Sequence, residues 1–548
     1  MTCLSAEPLD AIIVGAGFSG LYMLHRLRTA GLCARLFEAG SGVGGTWFWN
    51  RYPGARCDIE SLEYSYSFSE ELTREWRWSE RYASQPEILR YLDYVADRFD
   101  LRRDIALDTK VTSAVFDERT NLWTVQTDRH APASARFCIM ATGCLSIPKA
   151  PEYPGLENFG GKCYQTARWP HDGVDFTGRN VGVIGTGSSG IQSIPIIARQ
   201  AAHLYVFQRT PSFSVPARNA PLPAETIDDW NANGPAYREK ARSSYLGINH
   251  VDPVDRPSLG CSGAERRRAY EERWERGGFS LLGTFNDLLI SPEANETAAD
   301  FVRSKIREIV RDPSVAEKLA PRQYPIGAKR MCVDTDYYTA FNRENVTLVD
   351  LRETPIQAIT PSGIRTSDCE YRLDSLVFAT GFDAMTGALS RIDIRGRGGV
   401  SLKEKWAAGP RTYLGLAVAG FPNLFTVTGP GSPSVLSNMV LSIEQHVEWI
   451  TGCLTAMKSR NVSAIEATPE AEMAWVEHVN EVASDTIFPL ANSWYVGANV
   501  PGKPRVFMPY IGGVAAYRQK CDDVAANNYA GFAILAHATR FCAANSRP

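Results

Sequence analysis

Two glycine clusters carry the most specific chemistry in this chain. Gly15-Ala16-Gly17-Phe18-Ser19-Gly20 follows the β-branched run Ala11 to Val14 and opens a helical pattern from Leu21 to Ala30. The next strand-like run, Ala34 to Phe37, ends on Glu38. Strand, glycine turn, helix, strand and acid, in that order, suit a dinucleotide. The glycines let the backbone turn and approach a pyrophosphate, the helix N-terminus faces its charge, and Glu38 can bind a ribose hydroxyl. Gly185-Thr186-Gly187-Ser188-Ser189-Gly190 repeats the arrangement after Val181 to Ile184, but the strand that follows, Leu204 to Phe207, leads into Gln208-Arg209-Thr210. A cation where an NAD site would hold a carboxylate favours the extra 2′-phosphate of NADPH. The other reading of Arg209 is a solvated charge at a strand end.

Two further stretches stand out by composition. Gly44-Gly45-Thr46-Trp47-Phe48-Trp49-Asn50-Arg51-Tyr52-Pro53-Gly54-Ala55-Arg56-Cys57-Asp58 is more aromatic and glycine-rich than a core strand needs, and by itself reads as a loop with aromatic anchors. Phe159 to Pro170, FGGKCYQTARWP, lies between the two glycine clusters. Two glycines that can take φ > 0 and a closing Trp-Pro make it a hinge or an ordinary interdomain loop.

The elements that must position these residues are organised as α/β units. With 548 residues the chain suggests roughly three to four domain-sized units. Gln85 to Asp100 is helical in pattern, and Val111 to Phe116 with Leu122 to Thr127 alternate as a hairpin does. Phe137 to Met140 runs into Ala141-Thr142-Gly143, and Leu376 to Phe378 into Ala379-Thr380-Gly381, two matching strand-end turns. From about 219 to 326 the strand signal is lost and a charged helical pattern takes over, with GAERRRAYEERWERGG most simply a solvated helix face. The β-pattern resumes at Val346 to Val349, and Leu424 to Val427 precedes a helical stretch from Ser442 to Met457. The fold class expected is α/β, with two Rossmann-like dinucleotide-binding domains and a helical insertion.

A net charge of −3 and a pI near 6.3 favour neither nucleic acid nor an anionic membrane as partner. No apolar run is long enough to span a bilayer, and MTCLSAEPLD lacks the basic start of a signal peptide. The 12 cysteines show no C-x-x-C pair and no metal-type spacing. A reduced, cytoplasmic protein with inert thiols, no bound metal and no disulfide-reductase chemistry is therefore expected.

The two fingerprint stretches resemble those of the Baeyer-Villiger monooxygenases. Gly44 to Asp58 matches G-G-x-W-x-x-x-x-Y-P-G-x-x-x-D at every specified position, and Phe159 to Pro170 matches F-x-G-x-x-x-H-x-x-x-W-P except that Gln165 replaces His. RYPGARCDIES, VGVIGTGSSGIQ, VFQRTP, FNRENV, TGPGSPS and ANSWYVGANVPGKPR extend the likeness over nearly the whole chain, nearest the phenylacetone and steroid monooxygenase branch. Trp169-Pro170 differs from the related N- and S-oxygenating flavin monooxygenases, whose fingerprint closes with an aromatic and a lysine.

The resemblance implies FAD and NADPH as cofactors. It implies an activity in which NADPH reduces FAD, reduced flavin captures O₂ as a C4a-peroxide, and a ketone becomes an ester or lactone, with sulfide oxidation as a side activity. It implies Arg330 as catalytic arginine and Asp58 as the carboxylate that holds it, although Asp58 alone reads as a loop cap. Thr46, Trp47, Phe48, Trp49, Asp58, Tyr64, Val111 and Met439 match FAD-side positions beside Gly15, Gly17, Ser19, Gly20 and Glu38. Gly185, Thr186, Gly187, Ser188, Ser189, Gly190 and Gln192 belong to the NADPH pyrophosphate turn. Arg209, Thr210, Lys329 and Arg330 match the rest of the NADPH side, and Trp494 a mobile loop that closes over the nicotinamide. Ser434, Val435 and Leu436 fall at a substrate-side bulge, while Leu436 and Met439 read equally as core.

The domain order implied is an FAD-binding part over 1–145, a hinge over 146–170, an NADPH-binding part over 171–218, the helical insertion over 219–326, a second NADPH-binding part over 327–381, and a second FAD-binding part over 382–548. A monomer acting on a small ketone and O₂ is expected. In the family the replaced His belongs to the interdomain linker, so Gln165, which still donates and accepts, bears on the coupling of NADPH use to product. The competing functions are a heteroatom-oxidising flavin monooxygenase and a flavin-binding protein without turnover. The second would be expected to have lost Arg330 or a glycine turn.

Overall fold

A computed structural model describes residues 8–249 and 251–536. The outer ends of the first and last expected segments, and most of the N-terminal stretch read for a signal peptide, lie outside the described residues.

Alternating β-branched and aromatic runs build two sheets, each with a glycine turn at the carboxyl end of a central strand. The first sheet has eight strands. Leu9–Val14 lies between Ala34–Phe37 and Ala133–Met140, parallel to both. The hairpin Val111–Asp117 and Leu122–Thr127 extends the sheet antiparallel from Ala133–Met140. Two late segments return to this sheet: Leu424–Thr426 pairs with Ala133–Met140, and Asp393–Arg395 with Val111–Asp117. The helix Met439–Ser459, started by Asn438 accepting from the Val440 N–H, is buried along most of its length against the first glycine helix Phe18–Thr29.

The second sheet is entirely parallel and has five strands, in the spatial order Val346–Asp350, His203–Gln208, Asn180–Ile184, Ser375–Phe378 and Lys162–Gln165. The stretch expected to be a hinge thus contains an edge strand of this sheet. Gly160 and Gly161 are not in the positive-φ region. Their use is close approach, since a Cβ on Gly160 would lie 2.9 Å from the Pro361 carbonyl oxygen. Trp169 is buried between Tyr164 and Phe176, which fixes the far end of the connector.

The helical insertion carries Ala224–Arg242, Gly263–Arg276, Pro292–Ile309 and Pro313–Leu319. Ser214–Pro216 before it pairs in parallel with Cys332–Asp334 after it, so the chain leaves and returns at one place. That pairing decides where Lys329 and Arg330 emerge.

Nine described cysteines are free thiols, most of them buried. Cys33 is disulfide-bonded, so the expectation of uniformly reduced cysteines does not hold there.

Candidate active site

The two glycine turns are built alike. Gly15 and Gly185 have φ of 104° and 110°, and a Cβ on either would lie 2.6 or 2.5 Å from the carbonyl oxygen of Ala141 or Ala379. Each Ala-Thr-Gly turn is therefore packed on a glycine turn, backbone against backbone. Gly20 and Gly190 sit so close to the carbonyls of Gly15 and Gly185 that a Cβ would overlap them. The helices Phe18–Thr29 and Ser188–Gln200 start at Gly17 and Gly187 with no side-chain cap, so their first N–H groups keep no side-chain acceptor. Such uncapped N-termini beside glycine are what a pyrophosphate requires.

Glu38 is buried at the end of Ala34–Phe37 and accepts from the Ala16 N–H at 2.6 Å and the Gly40 N–H at 2.7 Å. Burial raises its carboxyl above the usual range, against the opposing effect of these N–H groups. These bonds tie the strand end to the glycine turn. Gly45 lies on the same turn, where a Cβ would be 2.8 Å from Gly17 Cα. The short helix Thr46–Trp49 follows, and Trp47 Nε1 donates to the Tyr64 hydroxyl at 3.3 Å. Phe48 packs under Gly40 and Gly42, and Trp49 is 38% exposed. Val111 starts its strand next to Lys110 and Thr109, the latter donating to the Glu38 carbonyl at 2.7 Å. Met439 is half-buried at the start of its helix.

The loop from Tyr52 to Asp58 joins the two halves. Gly54 touches the backbone of Gln192, whose side chain accepts from the Tyr52 hydroxyl at 2.8 Å and donates to the Arg56 carbonyl at 3.0 Å. Gln192, expected in the pyrophosphate turn, spends its amide on this junction. Ser188 and Gly187 are exposed, Ser19 is buried, and Thr186 donates to the Thr210 carbonyl at 3.1 Å.

At the junction Arg330 meets Asp58. Its Nε and Nη2 donate to Oδ2 and Oδ1 at 2.7 and 2.8 Å, and Nη1 donates to the Val435 carbonyl at 2.6 Å. Phe279 from the insertion lies under the guanidinium, 5.1 Å from ring centroid to Cζ. The two side chains remain 24% and 22% exposed. Burial opposes the charge on Arg330, but the Asp58 charge and hydrogen bonds more than reverse this and hold the guanidinium above its ordinary value. It is a permanent cation with its edge held by carboxylate and carbonyl and one face by Phe279. Asn295 fixes the approach to it, donating to the Ile326 carbonyl at 2.8 Å and accepting from the Ile326 N–H at 2.9 Å.

Val435 contributes through its carbonyl. Ser434 does not meet the expectation of a substrate-side side chain, because it is fully buried, with its hydroxyl 3.6 Å from Cys144 Sγ and 3.3 Å from the Thr428 carbonyl. Leu436 is half-buried. The Trp494 ring lies tilted against Tyr495, with centroids 4.3 Å apart, and it is Tyr495 whose hydroxyl interacts electrostatically with Arg330. The loop carrying them is fastened to the segment after Gly381 by Asn499 donating to the Phe382 carbonyl at 2.6 Å and by Lys503 on Asp383 at 2.8 Å. Asn295 and Phe279 gave no motif signal, since each acts through a contact distant in sequence, and Tyr495 lies inside the ANSWYVGANVPGKPR match without a signal of its own. Burial raises the thiols of Cys57, Cys144 and Cys332 around the pair, Cys332 to about 12, which keeps them unreactive.

Among the described residues no cluster of His, Cys, Asp or Glu could hold a metal, and no helix is long and apolar enough to cross a membrane. Two parallel-strand glycine turns and one arginine–aspartate pair at the junction of the two halves define a flavoprotein oxidoreductase that uses a second, nicotinamide dinucleotide. A family profile described as pyridine nucleotide-disulphide oxidoreductase matches residues 12–228. A Baeyer-Villiger monooxygenase of Pseudooceanicola batsensis is 44% identical over 95% of each chain. Phenazine N-monooxygenase PhzNO1 of Lysobacter antibioticus is 44% identical over 95% of this chain and 96% of its own. A solved structure of oxidized steroid monooxygenase bound to NADP superposes with a TM-score of 0.93 at 55% identity, covering 96% of this chain and 100% of that one. The chain belongs to the Baeyer-Villiger monooxygenases. It is an oxidoreductase that uses FAD and NADPH.

Proposed function

We propose that this enzyme inserts one oxygen atom of O₂ next to the carbonyl of a small ketone, giving an ester or lactone, with Arg330 and Asp58 as its catalytic pair. The observation that carries this reading is the guanidinium held by both Asp58 oxygens and the Val435 carbonyl where the two nucleotide turns meet. When bound, FAD and NADPH supply oxygen activation and reducing equivalents. The chain supplies a fixed positive charge for negative charge developing on oxygen, and such a charge works without reorganisation because its partners are already in place. The uncapped helix at Gly17 with Glu38 and the Thr46–Trp49 segment would hold FAD. The uncapped helix at Gly187 with Arg209, Thr210 and Lys329 would hold NADPH, and Trp494 would close over it. Half-buried Leu436 would be the member of the 434–436 bulge that touches substrate. Both turns and the arginine come from one chain, which fits a monomer, and dependence on NADPH fits the cytoplasm.

Arg209→Ala is expected to weaken NADPH by ~1.5 to 3 kcal/mol, about 10- to 150-fold, while NADH changes little, because the charge it loses meets only the 2′-phosphate. Steady-state KM values for the two nucleotides check this, and equal losses would sink the assignment.

The phenazine N-monooxygenase relative favours nitrogen oxidation as a second reading. Incubation with linear, cyclic and steroidal ketones, a sulfide and an N-heteroaromatic under labelled O₂ separates the two by mass spectrometry. One labelled oxygen in an ester or lactone is the expected result. N- or S-oxides alone would overturn the ketone reading.

A further inference from the structure

Three cations reach the carboxyl-end rim of the second sheet, where ligands of open α/β sheets bind. Arg209 follows His203–Gln208, Lys329 precedes Arg330, and Lys149 lies in the connector just before Lys162–Gln165. Among the described residues none of the three makes an ion pair, whereas Lys318 and Lys503 are paired with Glu353 and Asp383. Lys329 rests 4.4 Å over the Tyr324 ring. Burial, and next the charge of Arg209, lower the ammonium groups of both Lys149 and Lys329, so Arg209 acts on each lysine. Glu152 and Asp383 act the other way on Lys149 and do not offset this. Like charges on one rim without an ion pair are unfavourable until an anion joins them.

The backbone of Lys149 is fixed from both sides. Its N–H donates to the Gly381 carbonyl at 3.0 Å, in the turn after Ser375–Phe378. Its carbonyl accepts from Gln165 Nε2 at 2.6 Å. Gln165 is the last residue of its strand and stands in register with Phe378, at the carboxyl end of the sheet. The side chain at this position thus acts as a donor to the Lys149 carbonyl.

We infer that Lys149 is a third cation for the 2′-phosphate of NADPH, and that Gln165 is the positioning residue that holds it there. The inference rests on the reading of Arg209 and Lys329 as phosphate ligands. A phosphate monoester dianion matches several unpaired cations on one rim, and charge-assisted contacts to it are the strong ones.

The test is calorimetric binding of NADP⁺, NAD⁺ and adenosine 2′,5′-bisphosphate to the FAD-loaded protein and its variants. Lys149→Met is expected to weaken NADP⁺ and the bisphosphate about tenfold and NAD⁺ less than about twofold. Gln165→Leu should weaken NADP⁺ and the bisphosphate about threefold with the same selectivity, and Gln165→His, which keeps a donor, should bind like the parent. If Gln165 acts through Lys149, the double variant Lys149→Met with Gln165→Leu loses no more than Lys149→Met alone. Lys149→Gln repeats the test with a polar side chain should Lys149→Met fold poorly. Unchanged NADP⁺ binding, or equal losses for NADP⁺ and NAD⁺, in the Lys149 variants overturns the third cation. A full additional loss in the double variant overturns the positioning role. Arg209→Ala run beside them separates the two levels: if it alone loses NADP⁺ selectively, Lys149 is wrong and the site stands, and if neither does, the reading of the second turn falls.

Discussion

Arg330→Ala should retain its flavin and form essentially no ester, with ketone oxygenation reduced by about 10² to 10³, the usual consequence of removing one preorganised electrostatic donor. The guanidinium touches Asp58, the Val435 carbonyl and the face of Phe279, and none of these contacts belongs to either glycine turn. Flavin binding and NADPH oxidation should therefore continue, with hydrogen peroxide released in place of product. The variant leaves the Asp58 carboxylate without its partner, but at 22% exposure water takes over part of that role, so the loss of stability is moderate. Arg330→Lys keeps a charge and loses the two-pronged grip, and should recover part of the rate. Ester yield per NADPH consumed, measured with flavin content, decides the matter. Ester formation at the parental rate in Arg330→Ala would remove the arginine from the chemistry.

Gly20→Ala should yield a protein with little or no bound FAD. A Cβ there would overlap the Gly15 carbonyl oxygen and would come 3.1 Å from Leu36 Cδ1, and the first obstacle is backbone. Backbone cannot rotate aside as a side chain does, so the turn must open and the helix Phe18–Thr29 must withdraw from the strand Leu9–Val14. Overpacking of this kind costs about 1 to 3 kcal/mol or more, and it falls on the geometry that a pyrophosphate requires. Gly452 in the helix Met439–Ser459 is the matching control, since a Cβ there meets nothing within 4 Å. Gly452→Ala should be neutral or stabilising by up to ~1 kcal/mol. Flavin absorbance relative to protein, with thermal unfolding of both variants, provides the comparison. Full flavin content in Gly20→Ala would show that the turn has slack the structure does not suggest.

Much of the scaffold was legible in the sequence because its requirements are local. A glycine turn after a β-branched run needs Gly15, Gly17 and Gly20 at fixed offsets, whatever the rest of the chain does, and the same holds for Gly185, Gly187 and Gly190. The strands at Ala34–Phe37 and Leu122–Thr127 end where the residue pattern places their ends. Lys162–Gln165 was not legible as a strand, because Lys, Cys, Tyr and Gln carry no alternation and no β-branched residue. Its extended form comes from pairing with Ser375–Phe378, two hundred residues further along.

The sequence by itself determined the two dinucleotide turns, the cation after the second of them and, through its fingerprints, the family. Only the tertiary structure decided what else surrounds Arg330 beside Asp58: the Val435 carbonyl and Phe279 arrive from two remote segments, and Asn295 holds the approach. It also decided that the Ser434 side chain points inward and that Gln165 holds Lys149. The physical reason is that turn geometry is set by φ, ψ and the absence of a Cβ within a few residues, whereas charge stabilisation and side-chain direction depend on which distant groups packing brings within hydrogen-bond reach.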